Sequence, residues 1–321
     1  MLYIQEWREG IRVAGIYLCK SKNSAVTKNG KSYENVTLMD RTGTVDGKIW
    51  DPDDAGIDDF EALDYVDIVG DISRFNGALQ ISLKRVRKAG EGEYDPADYL
   101  PTTEYDTEKM FRTLLDFIDK VQNPYLSALL KKFFVEDEAL VKRFKTASAA
   151  KTLHHAFVGG LLQHTLYVTN FCFFMTKYYP VLNRDLLLTA AICHDIGKTT
   201  EISPFPQNDY TDDGQLLGHI MIGAEMIHDT ASQIEGFPAE LETDLKHCIL
   251  AHHGEFEYGS PKKPALAEAL ALNLADNADA RLEMITEFFK ANAQKPAGEW
   301  LGFNRALDSN IRRTGNIDEL K

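Results

Sequence analysis

The sequence predicts two dissimilar halves, an N-terminal all-β barrel and an all-α domain behind it. Residues 1–90 carry five short stretches of alternating or clustered apolar residues, set between turns bearing Gly, Asn and Asp. Residues 108–291 instead carry apolar residues at steps of three and four. Between them, 91–107 mixes Gly92, Pro96 and Pro101 with acids and tyrosines, the composition of a linker. A chain of 321 residues is long enough to bury two cores.

The first strand runs from Arg12 to Cys19 around Val13, Ile16 and Leu18, and the second from Tyr33 to Asp40 through Val36 and Leu38. The third, Thr44–Asp51, turns Val45, Gly47 and Ile49 inward. The acidic stretch Asp53–Leu63 reads as one helix. Val66–Gly70 and Leu79–Val86 complete the set, joined through Arg74-Phe75-Asn76-Gly77. Five strands with a helix after the third is the order of the OB-fold barrel. Helices are expected at 108–121, 124–134, 136–146, 153–178, 184–195, 218–234, 238–252 and 265–291, and one more short helix from Trp300 onward. Pro124 suits a first turn.

Hydrophobic content of 44% and charged content of 26% are those of a soluble globular protein. A net charge of −14 argues against coating duplex DNA by bulk electrostatics, though not against a local groove for a single strand. No apolar stretch approaches the roughly 18 residues of a membrane span, and no membrane association is expected. Met1–Trp7 lacks the basic-then-apolar layout of a signal peptide. Cys19, Cys172, Cys193 and Cys248 stand far apart with no Cys-x-x-Cys, as reduced core residues of a cytoplasmic protein would.

The chemistry gathers around His194-Asp195. The apolar run Leu186–Cys193 reads as a buried helix that delivers this pair at its C-terminal end, where Gly197 can stop it. Burying an imidazole and a carboxylate costs several kcal/mol unless something compensates, and a metal ion is the usual compensation. His164 lies on the stripe Phe157, Leu161, His164, Val168, Phe171, Met175, which faces the core. The face Leu241, Leu245, Cys248 ends at His252, with His253 beside it and Gly254 after it. Leu266–Ala275 is apolar nearly all round, hence buried, yet is followed by Asp276. His219 completes the set. Each position alone has an ordinary explanation, such as a satisfied core histidine, but seven together do not. Imidazole and carboxylate without thiolate suit Mn, Fe or Zn, and seven candidates suit two ions sharing a carboxylate. Asp279, one turn past Asp276, reads as a solvated acid or one behind the ligands. His228 and His247 read as structural.

In this order, His164, His194-Asp195, His219, His252-His253 and Asp276 resemble the HD superfamily of metal-dependent phosphohydrolases. Leu153-His154-His155-Ala156, His194-Asp195-Ile196-Gly197-Lys198, Leu217-Gly218-His219-Ile220, His252-His253-Gly254 with Gly259-Ser260-Pro261, and Ala275-Asp276-Asn277-Ala278-Asp279-Ala280 look more narrowly like YhaM-type 3′→5′ exoribonucleases. That family places an OB-fold before an HD domain, so the resemblance covers nearly the whole chain: an OB domain over 1–90, a linker over 91–107 and an HD domain over 108–321. It implies that His164, His194, Asp195 and Asp276 hold one divalent metal, Mn²⁺ being expected and Fe, Co or Zn the alternatives. Asp195 would bridge to a second ion held by His219, His252 and His253. Lys198 would join Asp195 as a catalytic residue facing the substrate phosphate, with His154 and His155 as further phosphate contacts. The substrate implied is single-stranded RNA, with single-stranded DNA as an extension, and self-association is left open.

Outward aromatics among cations are how OB-folds stack and track single strands, which makes Lys22, Lys28, Lys48, Trp50, Arg74 and Phe75 the candidate strand contacts. Two other readings compete. HD domains of similar ligand order cleave small or cyclic nucleotides, but their Gly-Tyr-Pro signature is replaced here by Gly259-Ser260-Pro261. A nucleic-acid-binding regulator with a merely structural HD domain would be expected to have lost at least one of these costly buried carboxylates.

Overall fold

The computed structural model describes residues 1–27, 29–151 and 155–315. These form two compact units, one of Met1–Thr102 with Phe205–Gln207 and one of Thr103–Pro204 with Asn208 onward.

The first unit is a closed five-stranded barrel: β1 (Arg12–Val26), β2 (Ser32–Asp40), β3 (Gly43–Ile49), β4 (Tyr65–Phe75) and β5 (Ala78–Lys88), in the order β1-β2-β3-β5-β4 with β4 returning to β1. A short parallel pairing of β3 with β5, Asp46–Lys48 against Gln80–Ser82, closes the ring. Alternation fills its interior with Val13, Val36, Leu38, Val45, Ile49, Ile68, Ile72, Ile81 and Leu83. Closure is tight where glycine stands. A Cβ on Gly47 would lie 2.8 Å from Val36 Cγ2, and one on Gly70 would lie 2.7 Å from Ile81 Cγ1. Gly70 also sits at an irregularity in the β4–β5 register, the usual device for bending a strand round a barrel.

Two expectations about this half need correcting. Asp53–Leu63 is a chain of turns, not a helix. Asp54 Oδ1 accepts from the Gly56 N–H at 2.8 Å, an Asx turn that competes with helix formation. Ile57 forms a parallel bridge to Val86 instead, and Phe60 is buried. The stretch read as a linker packs on the barrel through Thr102: Tyr94 stacks on Tyr65 with centroids 3.7 Å apart, and Tyr99 and Leu100 are buried.

The second unit holds α1 (Thr107–Ile118), α2 (Pro124–Lys131), α3 (Glu138–Thr146), α4 (Gly160–Tyr178), α5 (Arg184–Cys193), α6 (Lys198–Glu201), α7 (Asp212–Leu216), α8 (Gly218–Ser232), α9 (Ala239–Ala251) and α10 (Ala267–Ala291). Their apolar stripes share one core, in which Leu114, Leu126, Leu161, Ile192, Leu245 and Leu272 are fully buried. No described helix is long and apolar enough to cross a membrane.

Here too the sequence misleads locally. The helix expected from 153 starts at Gly160, because Gly159 and His155 take left-handed backbone with φ of 83° and 56°. A Cβ on Gly160 would lie 2.0 Å from the His155 carbonyl oxygen, so the preceding loop folds directly onto the helix start. The α4 stripe holds through Val168, but Phe171 is 38% exposed and Cys172 takes the buried place. Leu270 and Leu274 are more than half exposed, so the start of α10 is buried on one face only. The tail forms a two-stranded hairpin, β6 (Trp300–Asn304) with β7 (Ser309–Arg312), where a helix was expected. Asn304 Oδ1 caps its turn by accepting from the Ala306 and Leu307 N–H groups.

Candidate metal centre

Three helix ends, of α5, α8 and α9, and two helix faces, of α4 and α10, converge around Asp195. Helix α5 ends with His194 as its C-cap, so the imidazole and the Asp195 carboxylate leave the last turn together, 0% and 2% exposed. Gly197 is not the left-handed stop expected of it, since its φ is −61°. It is glycine because α8 comes too close: a Cβ there would lie 2.1 Å from the His219 carbonyl oxygen and 2.8 Å from the Gly223 nitrogen. That approach sets His219 opposite Asp195.

The two Asp195 oxygens face different partners. Oδ2 lies 3.4 Å from Nε2 of both His164 and His194, and His164 Nε2 is 3.2 Å from Asp276 Oδ1. Oδ1 lies 3.4 Å from His219 Nε2 and 3.7 Å from His252 Nε2. Ligand atoms of His164, His194 and Asp276 lie within 4.8 Å of one another, as do those of His219, His252 and His253. All seven expected ligands are therefore assembled, as two groups on either side of one carboxylate.

The donor set fits divalent ions. Each of the five imidazoles directs its Nδ1–H to an oxygen: His164 to Asp279 at 2.7 Å, His194 to the Ala191 carbonyl at 2.8 Å, His219 to Glu201 at 2.9 Å, His252 to the Ile249 carbonyl at 2.7 Å and His253 to the Tyr258 carbonyl at 2.9 Å. Those bonds fix the tautomer that presents the Nε2 lone pair, the arrangement seen in histidine metal ligands. Asp195 Oδ1, His219 Nε2 and His252 Nε2 are buried without a hydrogen-bond partner. Such orphaned atoms are costly unless a cation takes them.

Electrostatics agree. Burial pushes the Asp195 carboxyl up, but Lys198 and His194 outweigh it and hold it well below the ordinary carboxylate value. Burial likewise opposes the His164 imidazolium, yet Asp195, Asp276 and Asp279 raise that pKa well above 6.5. A proton drawn onto His164 marks a well of negative charge that a metal would fill. Burial, with His253 and His194 alongside, holds His252 well below 6.5 and therefore neutral and ready to ligate. His253 is lowered for the same reasons, burial first and His219 next.

The remaining expected residues are placed unevenly. Lys198 Nζ is 2.8 Å from Asp195 Oδ2, with 13% of its side chain exposed. His155 is no phosphate contact: it is 1% exposed and donates through Nε2 to Asp279 Oδ2 at 2.9 Å, because the left-handed turn before α4 folds it behind His164. His154 lies outside the described residues. Asp279 is the acid behind the ligands rather than a solvated one, 4% exposed. Glu201 is not legible in the sequence, since an acid seven residues past His194 fits no periodic pattern and only the single turn of α6 turns it back to His219. His228 pairs with Glu242, and His247 accepts from the Ala265 N–H, both as structural residues.

On the barrel, Trp50 and Phe75 are 48% and 62% exposed, and Trp50 stacks on Tyr33 with centroids 5.3 Å apart. Lys48 donates to Asn35 Oδ1 and lies 5.2 Å over the Tyr33 ring, so Tyr33 joins this group unforeseen. Lys22 lies within β1 rather than in a loop, 16% exposed, held by Glu34 at 3.5 Å and donating to the Phe60 carbonyl. Its charge is already taken. Arg74 lies 3.6 Å from Glu9, and Lys28 is outside the described residues. In the basic run of β5, Lys84, Arg87 and Lys88 pair with Asp71, Asp67 and Asp64.

A helical unit that brings a His-Asp pair, four further histidines and a distant aspartate to one buried point defines an HD-type metal centre. The sequence pattern of the HD domain family matches residues 161–281. Over 281 residues the chain is 34% identical to the 3′-5′ exoribonuclease YhaM of Bacillus velezensis, covering 86% of this chain and 87% of that protein. The YhaM proteins of a Geobacillus species (34% over 285 residues, 88% of this chain and 86% of that protein) and of Bacillus subtilis (33% over 277 residues, 86% and 87%) are similar to the same extent. The chain belongs to the YhaM family of 3′-5′ exoribonucleases.

Proposed function

We propose that this chain is a metal-dependent 3′→5′ exonuclease that removes nucleoside monophosphates from single-stranded RNA. The observation that carries the reading is the Asp195 carboxylate, with each oxygen turned to a separate group of imidazoles. His164, His194, Asp195 and Asp276 would hold one ion; His219, His252, His253 and Asp195 the other. Bound there, divalent ions supply Lewis acidity toward the scissile phosphodiester and lower the pKa of an attacking water. The protein's own part is positional. Five fixed Nδ1–H bonds aim the imidazoles, and the packed core of α4, α5 and α9 keeps bulk water from their backs. Lys198 is held protonated: burial lowers its pKa, but Asp195 raises it further. It is the cation we assign to the non-bridging oxygens of the phosphate.

Manganese is the ion we propose from the family resemblance, with Fe, Co and Zn as alternatives, since the mixed imidazole and carboxylate set admits all four. The free, buried cysteines suit a reducing cytoplasm. Single-stranded DNA is a second polymer that the same chemistry accepts. The test is a 5′-labelled single-stranded RNA with Mn²⁺. A ladder shortening from the 3′ end is expected, with a stall near the stem when the strand is the 3′ tail of a hairpin. Early mid-length fragments without a ladder would mean endonuclease action. Resistant RNA beside a rapidly cleaved cyclic dinucleotide would overturn the polymer assignment.

A further inference from the structure

The two groups of ligands share Asp195 but are braced by separate buried carboxylates. Glu201, 7% exposed, accepts through Oε1 from both the main-chain N–H and the Nδ1–H of His219, each at 2.9 Å. One acid thus fixes both the backbone position and the ring rotation of that ligand. It is itself held in place, since the Glu201 carbonyl accepts from the Thr211 N–H and a Cβ on Gly214 would lie 2.2 Å from that oxygen. Asp279 does the corresponding work for His164 and is steadied by His155. The remaining rings, His194, His252 and His253, lean on backbone carbonyls. A carbonyl orients an imidazole, whereas a carboxylate also adds negative charge behind it and strengthens it as a ligand. Each group therefore holds one imidazole of the stronger kind. Among the described residues, Glu201 hydrogen-bonds no ligand of the His164 group, and Asp279 none of the His219 group.

We propose that Glu201 and Asp279 are positioning residues that set the occupancy of the two metal positions independently. Glu201 governs the His219–His252–His253 position and Asp279 the His164–His194–Asp276 position. The inference rests on the two-ion reading above.

The test is titration of the metal-free full-length protein with Mn²⁺, followed by calorimetry and by electron paramagnetic resonance, for the wild type, Glu201→Gln, Asp279→Asn and the double variant. Glutamine and asparagine keep size and an accepting oxygen but remove the charge. In each single variant one ion should bind about 10–100-fold more weakly while the other is unchanged. The spectrum of a coupled pair should give way to that of an isolated ion at ion concentrations that fill both positions in the wild type. Co²⁺ absorption should lose a different component in each variant, and the double variant should be weakened at both positions. If Glu201→Gln does not fold, Glu201→Asp, which keeps the charge but shortens the reach, tests the positioning itself: the His219 position alone should weaken. Equal weakening of both ions by either substitution, loss of the same component in both, or unchanged binding would overturn the inference. A wild type that binds a single ion would sink the two-ion reading instead, whatever the variants do.

Discussion

Asp195 turns each of its oxygens to a separate group of imidazoles, so on the two-ion reading it is the least replaceable side chain. Asp195→Asn keeps its volume but removes the shared charge and leaves the Lys198 ammonium without its buried partner. Metal affinity should fall by more than the ~10–100-fold typical of residues behind the ligands, and RNA cleavage with it, while the barrel stays folded. Metal analysis after gel filtration checks this, and full metal content would contradict it. A second prediction concerns protons. Without an ion, burial opposes the charge on His164, but its three carboxylates hold the pKa well above 6.5, so the ring is protonated at pH 7. Ligation needs the neutral ring, so metal uptake must expel that proton. His252 and His253, lowered chiefly by burial, are already neutral at pH 7 and give up none. Calorimetry in buffers of different ionisation enthalpy should show about one proton released per chain at pH 7, declining as pH rises past the raised His164 pKa. No release would mean that His164 is neutral before the ion arrives. The seven candidate ligands that the structure brings together were legible in the sequence because most are polar residues on, or at the end of, an apolar helix pattern, and because their order resembles a known family. Glu201 and the burial of His155 were not, because both depend on short turns whose direction no periodicity encodes.

Elements bring these residues together by close backbone approach, and here the sequence is silent in an instructive way. Gly197 looks like a helix stop but is in fact a contact: α6 and α8 approach so closely that no side chain fits between them. Gly197→Ala should therefore force the His219 backbone away, lowering stability by roughly 1–3 kcal/mol as overpacking does and weakening metal binding on the His219 side first. Denaturant unfolding of the metal-free protein together with metal titration checks both parts. A stable variant with normal binding would show that the gap can open without cost. Gly254 combines two constraints, a φ of 82° and a Cβ position 2.5 Å from Asn273 Nδ2, the same amide that donates to the His252 carbonyl at 2.7 Å. Long helices and strands were readable from their periods. Asp53–Leu63 and the tail hairpin were misread because side-chain-to-backbone bonds at Asp54 and Asn304, not apolar spacing, decide those segments.

Over the whole molecule, the charge distribution sets how a strand can be held. The net charge is −14, and the barrel cations that looked like a phosphate track are largely spent on neighbouring acids. Among the described residues of the barrel unit, Arg8, Lys20, Arg41, Lys48 and Arg85 have no carboxylate within ion-pair distance. What the barrel does leave open is aromatic surface: Trp50 over Tyr33, and Phe75 at the β4–β5 turn. Binding that leans on stacking differs measurably from binding that leans on charge. With at most about five phosphate contacts, log affinity for a single strand should fall against log salt with a slope no steeper than about −3.5. Trp50→Ala and Phe75→Ala should each weaken RNA binding by ~1–3 kcal/mol, the worth of one stacked base, whereas Lys22→Ala should affect the folded barrel more than the RNA. Hydrolysis of a small chromogenic phosphodiester that needs only the metal centre should be unchanged in the two aromatic variants. Fluorescence anisotropy across a salt series, run beside that assay, separates the possibilities. A steep slope with indifferent aromatics would return the work to the lysines. Equal losses on polymer and small substrate would mean that Trp50 and Phe75 support the fold rather than grip the strand.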